Sequence, residues 1–149
     1  MGLFDGYDVA TSGMSAQRTR INIVSSNIAN ANTTRTDNGG PYKKQNVVFE
    51  EVLLEASKQT KKSNTENIDP LALRGVSVKE IIQAKDQPVM KYEPEHPDAN
   101  EDGYVAYPNI NPVIEMTDLI EAIRSYEANV AAFKGQKDLD TKTLDILKG

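Results

Sequence analysis

Apolar residues near the N-terminus recur at alternating steps of four and three. Leu3, Tyr7, Ala10, Met14, Gln17, Ile21, Val24, Ile28 and Ala31 keep that rhythm without a break, and only Gln17 is polar. Residues so spaced fall on one stripe of a helix and form a heptad seam. Ser12, Ser15, Arg18, Arg20, Asn22 and Ser25 occupy the other faces. A helix of that extent runs roughly 40 Å at the usual rise per residue. The far end has the same rhythm in Met116, Leu119, Ile123, Tyr126, Val130 and Phe133. Asn111 before Pro112 reads as an N-cap with proline in the first turn. Gly135, Lys137 and Asp140 interrupt the seam, and Leu139, Leu144, Ile146 and Leu147 resume it in a shifted phase. The helix is therefore expected to continue with a change of register near Gly135.

Two long amphipathic ends predict a mainly α fold, in which N- and C-terminal helices form an antiparallel coiled-coil-like pair. Residues 1–32 and 112–149 would form one helical domain. The plain reading is an intramolecular hairpin. Ala122, Ala128, Ala131 and Ala132 would also let further helices approach closely.

Between Thr33 and Asn111 the helical period fails, and residues 33–111 read as an extended loop plus a small inserted β-hairpin module. Asn38-Gly39-Gly40-Pro41 is a turn signal. Val47-Val48-Phe49 favours a strand, and Glu50 to Leu54 suits either strand or short helix. Residues 57–67 are polar and read as a solvated loop, with Lys58, Lys61 and Lys62 part of it. Val76, Val78 and Ile82 alternate as a strand would, Gln87-Pro88 turns, and Val89 to Tyr92 reads as the partner strand. Tyr104 to Tyr107 is a third candidate strand. Pro94, Pro97, Pro108 and Pro112 forbid long regular structure between them.

Composition narrows the function. The chain is 38% hydrophobic, with no Trp, so its core is small and partners could complete its apolar surface. A net charge of -5 argues against a nucleic-acid or anionic-membrane binder. No Cys is present, which removes disulfides and thiol chemistry. No apolar run reaches membrane-spanning length, and Met1-Gly2-Leu3-Phe4-Asp5 lacks the basic and apolar regions of a cleaved signal.

The one site-like motif is Asp98-Ala99-Asn100-Glu101-Asp102-Gly103. Asp98, Asn100 and Asp102 match the start of a calcium loop, but Asn109 stands where a bidentate Glu is needed. An acidic turn is the simpler reading. His96 has no second His or Cys to form a metal site or a triad. No phosphate-cradling glycine motif occurs, and no paired carboxylates are held in a cleft. The expectation is no catalysis, no cofactor, no metal and no small-molecule substrate.

Longer stretches are more specific. Ser12-Gly13-Met14-Ser15-Ala16-Gln17, then Val24-Ser25-Ser26-Asn27-Ile28-Ala29-Asn30-Ala31-Asn32-Thr33, resemble the N-terminal signature of the bacterial flagellar rod and hook proteins. Leu119-Ile120-Glu121-Ala122 with Arg124-Ser125-Tyr126-Glu127-Ala128-Asn129 resembles their C-terminal signature. Gly39-Gly40-Pro41-Tyr42, Val47-Val48-Phe49-Glu50, His96-Pro97-Asp98-Ala99 and Gly103 to Asn109 look like the proximal-rod members. The resemblance covers nearly the whole chain; residues 57–67 match no part of it.

The resemblance implies a structural subunit that polymerises helically in the basal-body rod, transmits torque and encloses the export channel. Its implied partners are copies of itself, other rod proteins, the flagellar type III export apparatus and MS-ring or rod-base adaptors. It also implies delivery from the cytoplasm without a cleaved signal peptide. The seam residues would then pack against neighbouring subunits. Asn27, Asn30, Asn32, Arg124 and Asn129 carry the family motif, and the three N-terminal asparagines are expected to cap the helix end, where Asn tolerates left-handed backbone. Two rivals are a self-folding helical-hairpin adaptor and a calcium-responsive module.

Overall fold

The computed structural model describes residues 5–54 and 74–148, with Asp5 as backbone alone. Leu3 and the polar stretch 57–67 lie outside the described residues. Among these, six elements follow in order: α1 (Asp5–Ala29), β1 (Gln45–Leu53), β2 (Arg74–Gln83), β3 (Val89–Tyr92), β4 (Tyr104–Tyr107) and α2 (Pro112–Lys148). The chain divides into two compact units. The first comprises Met1–Thr19, Phe49–Lys79 and Ala122–Gly149, and the second Arg20–Val48 and Glu80–Glu121.

The helices start and stop for local reasons. Asn111 Oδ1 accepts hydrogen bonds from the Val113 and Ile114 amides, at 3.0 and 3.5 Å, and Pro112 opens α2. This cap satisfies amides that the first turn leaves without carbonyls. At the other terminus, α1 ends in a tight turn in which the Ala31 amide reaches Ile28 O. Asn30 Nδ2 donates to Ser26 O at 2.9 Å. No non-glycine among the described residues has a positive φ, so the left-handed backbone expected of Asn27, Asn30 or Asn32 is absent. Asn30 caps from right-handed backbone, which makes a left-handed residue unnecessary. α2 is a single helix of 37 residues and passes through Gly135 unbroken.

The helices pack together, and the described residues also form two small two-stranded sheets. β1 pairs with β2. Arg74 meets Glu51, Ser77 meets Glu50, and the Ala84 amide bonds Lys44 O, so the strands run antiparallel. β3 pairs antiparallel with β4, from Val89↔Tyr107 to Tyr92↔Tyr104. The expected pairing of residues 76–82 with Val89 to Tyr92 across Gln87-Pro88 is thus corrected: each strand has a different partner. The β3–β4 connection explains its share of this. Asn100 Oδ1 accepts the Asp102 and Tyr104 amides, the Gly103 amide reaches Asn100 O, and the Glu93 amide reaches Gly103 O. Gly103 has φ +79°, and a Cβ there would fall 2.9 Å from Tyr92 Cε2. Glycine meets both demands.

The buried residues are small or polar. Ala10, Ala16 and Ala122 are buried in the first unit, and Val24, Ala31 and Val105 in the second. Asn27 and Glu115 are buried in that second unit too, each about as deeply as any of the described residues.

Candidate functional site

In the first unit, two glycines of α1 lie close against α2. A Cβ on Gly13 would sit 2.7 Å from Asn129 Oδ1, and one on Gly6 would sit 3.2 Å from Gln136 Oε1. Asn129 is held in place by donating to Ser125 O at 2.9 Å. Ser12 Oγ donates to Val9 O and accepts the Val76 amide at 3.2 Å, tying β2 to α1. Gln17, the polar member of the seam, has a buried Oε1 with no hydrogen-bond partner among the described residues.

Tyr7 closes this unit. Its hydroxyl donates to Asp140 Oδ2 at 2.7 Å, and its ring meets Phe133 edge-on at 4.9 Å. The bond to Asp140 pushes the phenol pKa up to about 12, aided by lost hydration and by the charges of Asp140 and Asp138. The folded chain therefore holds this proton more tightly than the unfolded chain does. Stability from the contact is fully present below the ordinary tyrosine pKa of 10.0 and is lost as pH rises toward 12. Tyr7→Phe is expected to lower stability at neutral pH and to flatten that alkaline loss. Thermal melts from pH 8 to 11.5 check it; parallel curves for variant and parent would refute the link.

The second unit holds a polar junction. Asn27 Nδ2 donates to Gln45 O at 2.9 Å and to Glu115 Oε2 at 3.0 Å. Asn27 Oδ1 accepts the Gln45 amide at 2.9 Å and the Tyr42 hydroxyl at 3.2 Å. Every hydrogen-bonding position of the amide is thus used. Lys44 Nζ lies 2.6 Å from Glu115 Oε1 and neutralises the buried carboxylate as an ion pair, not as an aligned hydrogen bond. Arg20 adds contacts to Asp118 at 3.5 Å and Glu121 at 3.9 Å. Neither Glu115 nor Lys44 has a signal in the apolar period. An acidic residue in the first helical turn is ordinarily there for the helix dipole, and nothing in the sequence says that this one is buried.

The same stretch of α2 exposes apolar residues. Val113 is 72% exposed, Met116 50% and Ile120 52%. Their spacing puts them on one stripe of the helix. Of the other seam residues, Val24 is buried; Tyr7, Met14, Ile21, Ile28, Leu119, Tyr126, Val130 and Phe133 are half-buried, and Ile123 is exposed. In the family motif, Asn32 and Arg124 are exposed, and Asn30 and Asn129 are half-buried.

Two of the three candidate calcium ligands are turned to other tasks. Asp98 accepts from Thr34 Oγ1 at 2.7 Å and lies 3.8 Å from Arg35. Asn100 spends its oxygen on the turn described above. Among the described residues no cluster of acidic, His or Cys side chains could hold a metal ion.

Known proteins match both ends and the full length. A family model described as "Flagella basal body rod protein" matches residues 8–35, and one described as "Flagellar basal body rod FlgEFG protein C-terminal" matches residues 101–146. The flagellar basal-body rod protein FlgC of Borreliella burgdorferi is 39% identical over 161 residues, covering 100% of both chains. The FlgC of Aquifex aeolicus is 41% identical over 148 residues, covering 99% of each. That of Bacillus subtilis is 38% identical over 159 residues, covering 99% of this chain and 100% of its own. Asn27 and Glu115 fall within the two matched segments.

Proposed function

The chain belongs to the flagellar basal-body rod protein FlgC family, and on that premise we propose that it is a structural subunit of the proximal rod. There it would polymerise helically with other rod proteins into the drive shaft that transmits torque and encloses the export channel. The family is structural, and the chain is not an enzyme. Full-length similarity to these relatives carries the reading.

The physical chemistry is consistent with it. The helices meet through glycines, polar side chains and the Tyr7–Phe133 pair, while Val113, Met116 and Ile120 stay in water. Burying such a stripe against neighbours releases apolar surface from solvent, the main drive for association. A contact between unlike surfaces that does not close on itself generates an open helix.

The finer reading places the terminal segments, 1–32 and 112–149, in the inner layer as a coiled-coil-like pair, with 33–111 outside. Its partners would be further copies, other rod proteins, MS-ring or rod-base adaptors and the type III export apparatus that delivers it. Removing the gene and viewing basal bodies by electron microscopy tests the proposal. Cells are expected to lack rods and to regain them with the chain supplied in trans. Normal rods without it would end the proposal.

A further inference from the structure

Three prolines wall a cavity in the second unit. Pro41, Pro88 and Pro108, with Tyr42 and Ala84, line a space of about 120 Å³. The segment before β1, the link from β2 to β3 and the exit of β4 converge there, and the Ala84 amide bonds Lys44 O at 2.8 Å. Proline brings no amide hydrogen and a fixed φ, so such a wall is apolar and stiff. The Tyr42 hydroxyl is engaged with Asn27 and the Lys44 ammonium with Glu115. A cavity of about 150 Å³ takes a benzene ring, so this one has room for much of a single aromatic ring. Lys43 and Asp86 border it, and an adjoining hollow adds Lys85.

The β3–β4 ribbon of the same unit ends in a matching feature. Successive strand residues alternate faces. Val105 is buried on one face, while Met90, Tyr92 and Tyr104 are exposed on the other. Tyr92 and Tyr104 form an edge-on pair with centroids 5.3 Å apart, and they keep 65% and 43% of their surface in water. Exposed Glu101 and Asp102 stand just ahead of Tyr104 in the chain. Among the described residues, neither these carboxylates nor Lys43, Lys85 and Asp86 enter an ion pair. Two cations and one anion therefore border the cavity, and two anions accompany the tyrosines. The Val89–Tyr107 pair adjoins Pro88 and Pro108, and the Tyr92–Tyr104 pair lies three residues along. That separation is about 10 Å, so the tyrosines stand clear of the cavity of their own chain.

We propose that the Tyr92–Tyr104 end of one copy docks in the proline-walled cavity of a second copy, with Glu101 and Asp102 against Lys43 and Lys85. A tyrosine buries a large apolar ring while its hydroxyl finds a polar partner. Aromatic rings against proline are a recurrent mode of recognition. Knob and cavity occupy opposite ends of one ribbon. The contact therefore joins unlike surfaces, repeats head to tail and leaves one of each open in any finite string. It deepens the reading in which further copies of the chain are partners, and rests on it to that extent.

Sedimentation velocity of the purified full chain over a concentration series tests the contact. Every chain carries Ile120→Asp, so that the exposed stripe of α2 does not drive association, and circular dichroism checks each fold. The parent is expected to form dimers and longer strings as concentration rises. Tyr92→Ser/Tyr104→Ser removes the knob, and its association is expected to weaken by about tenfold or more, as for an aromatic anchor. Lys43→Glu/Lys85→Glu spoils the cavity and is expected to behave alike. An equimolar mixture of those two variants is expected to give dimers and nothing longer, since one good knob and one good cavity remain. A chain with Lys43→Glu/Lys85→Glu/Glu101→Lys/Asp102→Lys keeps the tyrosines and is expected to associate again. A parent that stays monomeric throughout would overturn the proposal. So would association that survives loss of the tyrosines, a mixture that grows past dimers, or a charge-swapped chain that stays monomeric. Monomeric parent chain together with cells that lack rods when the gene is removed would reject this contact and leave the rod reading standing. Association by this scheme, with normal rods in those cells, would do the reverse.

Discussion

Ile120→Asp is expected to leave the melting temperature of the purified chain nearly unchanged and to abolish rod assembly. Ile120 is 52% exposed and lies on the stripe with Val113 and Met116. A surface substitution of this kind is usually worth within about ±0.5 kcal/mol in the monomer. In the assembled state the same side chain would be buried against a neighbour. An uncompensated buried charge there costs about 3–5 kcal/mol. At about 1.4 kcal/mol per tenfold, that weakens each contact by about a hundredfold to several thousandfold. Every subunit of the polymer repeats the loss. Swimming in soft agar and electron microscopy of basal bodies are the readouts, with Ile120→Leu as a control that retains both. Swimming cells with normal basal bodies would reject the assembly role of this face. A lowered monomer melting temperature would reassign the defect to folding. Val130→Asp also places a charge in the seam, but it separates the two effects less well, because Val130 is half-buried already.

That contrast shows what hydrophobic period can and cannot reveal. The spacing of Met116, Leu119 and Ile123 locates α2 and its stripe, but not what covers the stripe. Leu119 is half-buried, whereas Met116 and Ile123 are exposed in the single chain. The contacts that α1 makes with α2 include Tyr7 against Phe133, both in the apolar seam, but also Gly13, Asn27, Glu115 and Asn129, which an apolar count passes over. Glycine contributes by lacking a side chain, and Asn27 and Glu115 by bonding each other. Their burial depends on long-range geometry that no local pattern encodes. The N-cap of α2 was legible, since Asn111 and Pro112 act on their own neighbours.

Strand pairing failed for a related reason. Residues 76–82 and Val89 to Tyr92 are close in sequence and separated by a proline turn, so a hairpin between them is the local solution. Long-range pairing with β1 wins for β2, and the Asn100–Gly103 turn supplies β4 to β3. Sheet preference is set largely by what a strand packs against, and much less by its own residues.

The largest loss of monomer stability is expected from Lys44→Ala. Glu115 is 1% exposed, and among the described residues its charge pairs with Lys44, whose side chain keeps 26% of its surface in water. Removing that cation leaves a buried carboxylate that, among the described residues, has the Asn27 amide as its one donor. Breaking a buried pair from this side costs about 3–5 kcal/mol. For a chain of this size that lowers the melting temperature on the order of 10 °C. Glu115→Gln is milder. It preserves an acceptor for Asn27, and the freed ammonium can turn to solvent, so about 1 kcal/mol is expected. Lys44→Met/Glu115→Leu removes both charges and their desolvation together, and is expected to fall near the parent. Denaturant unfolding of the four chains under one buffer gives the order directly. A Lys44→Ala chain no weaker than Glu115→Gln would mean that water reaches Glu115. The junction would then hold by hydrogen bonds alone.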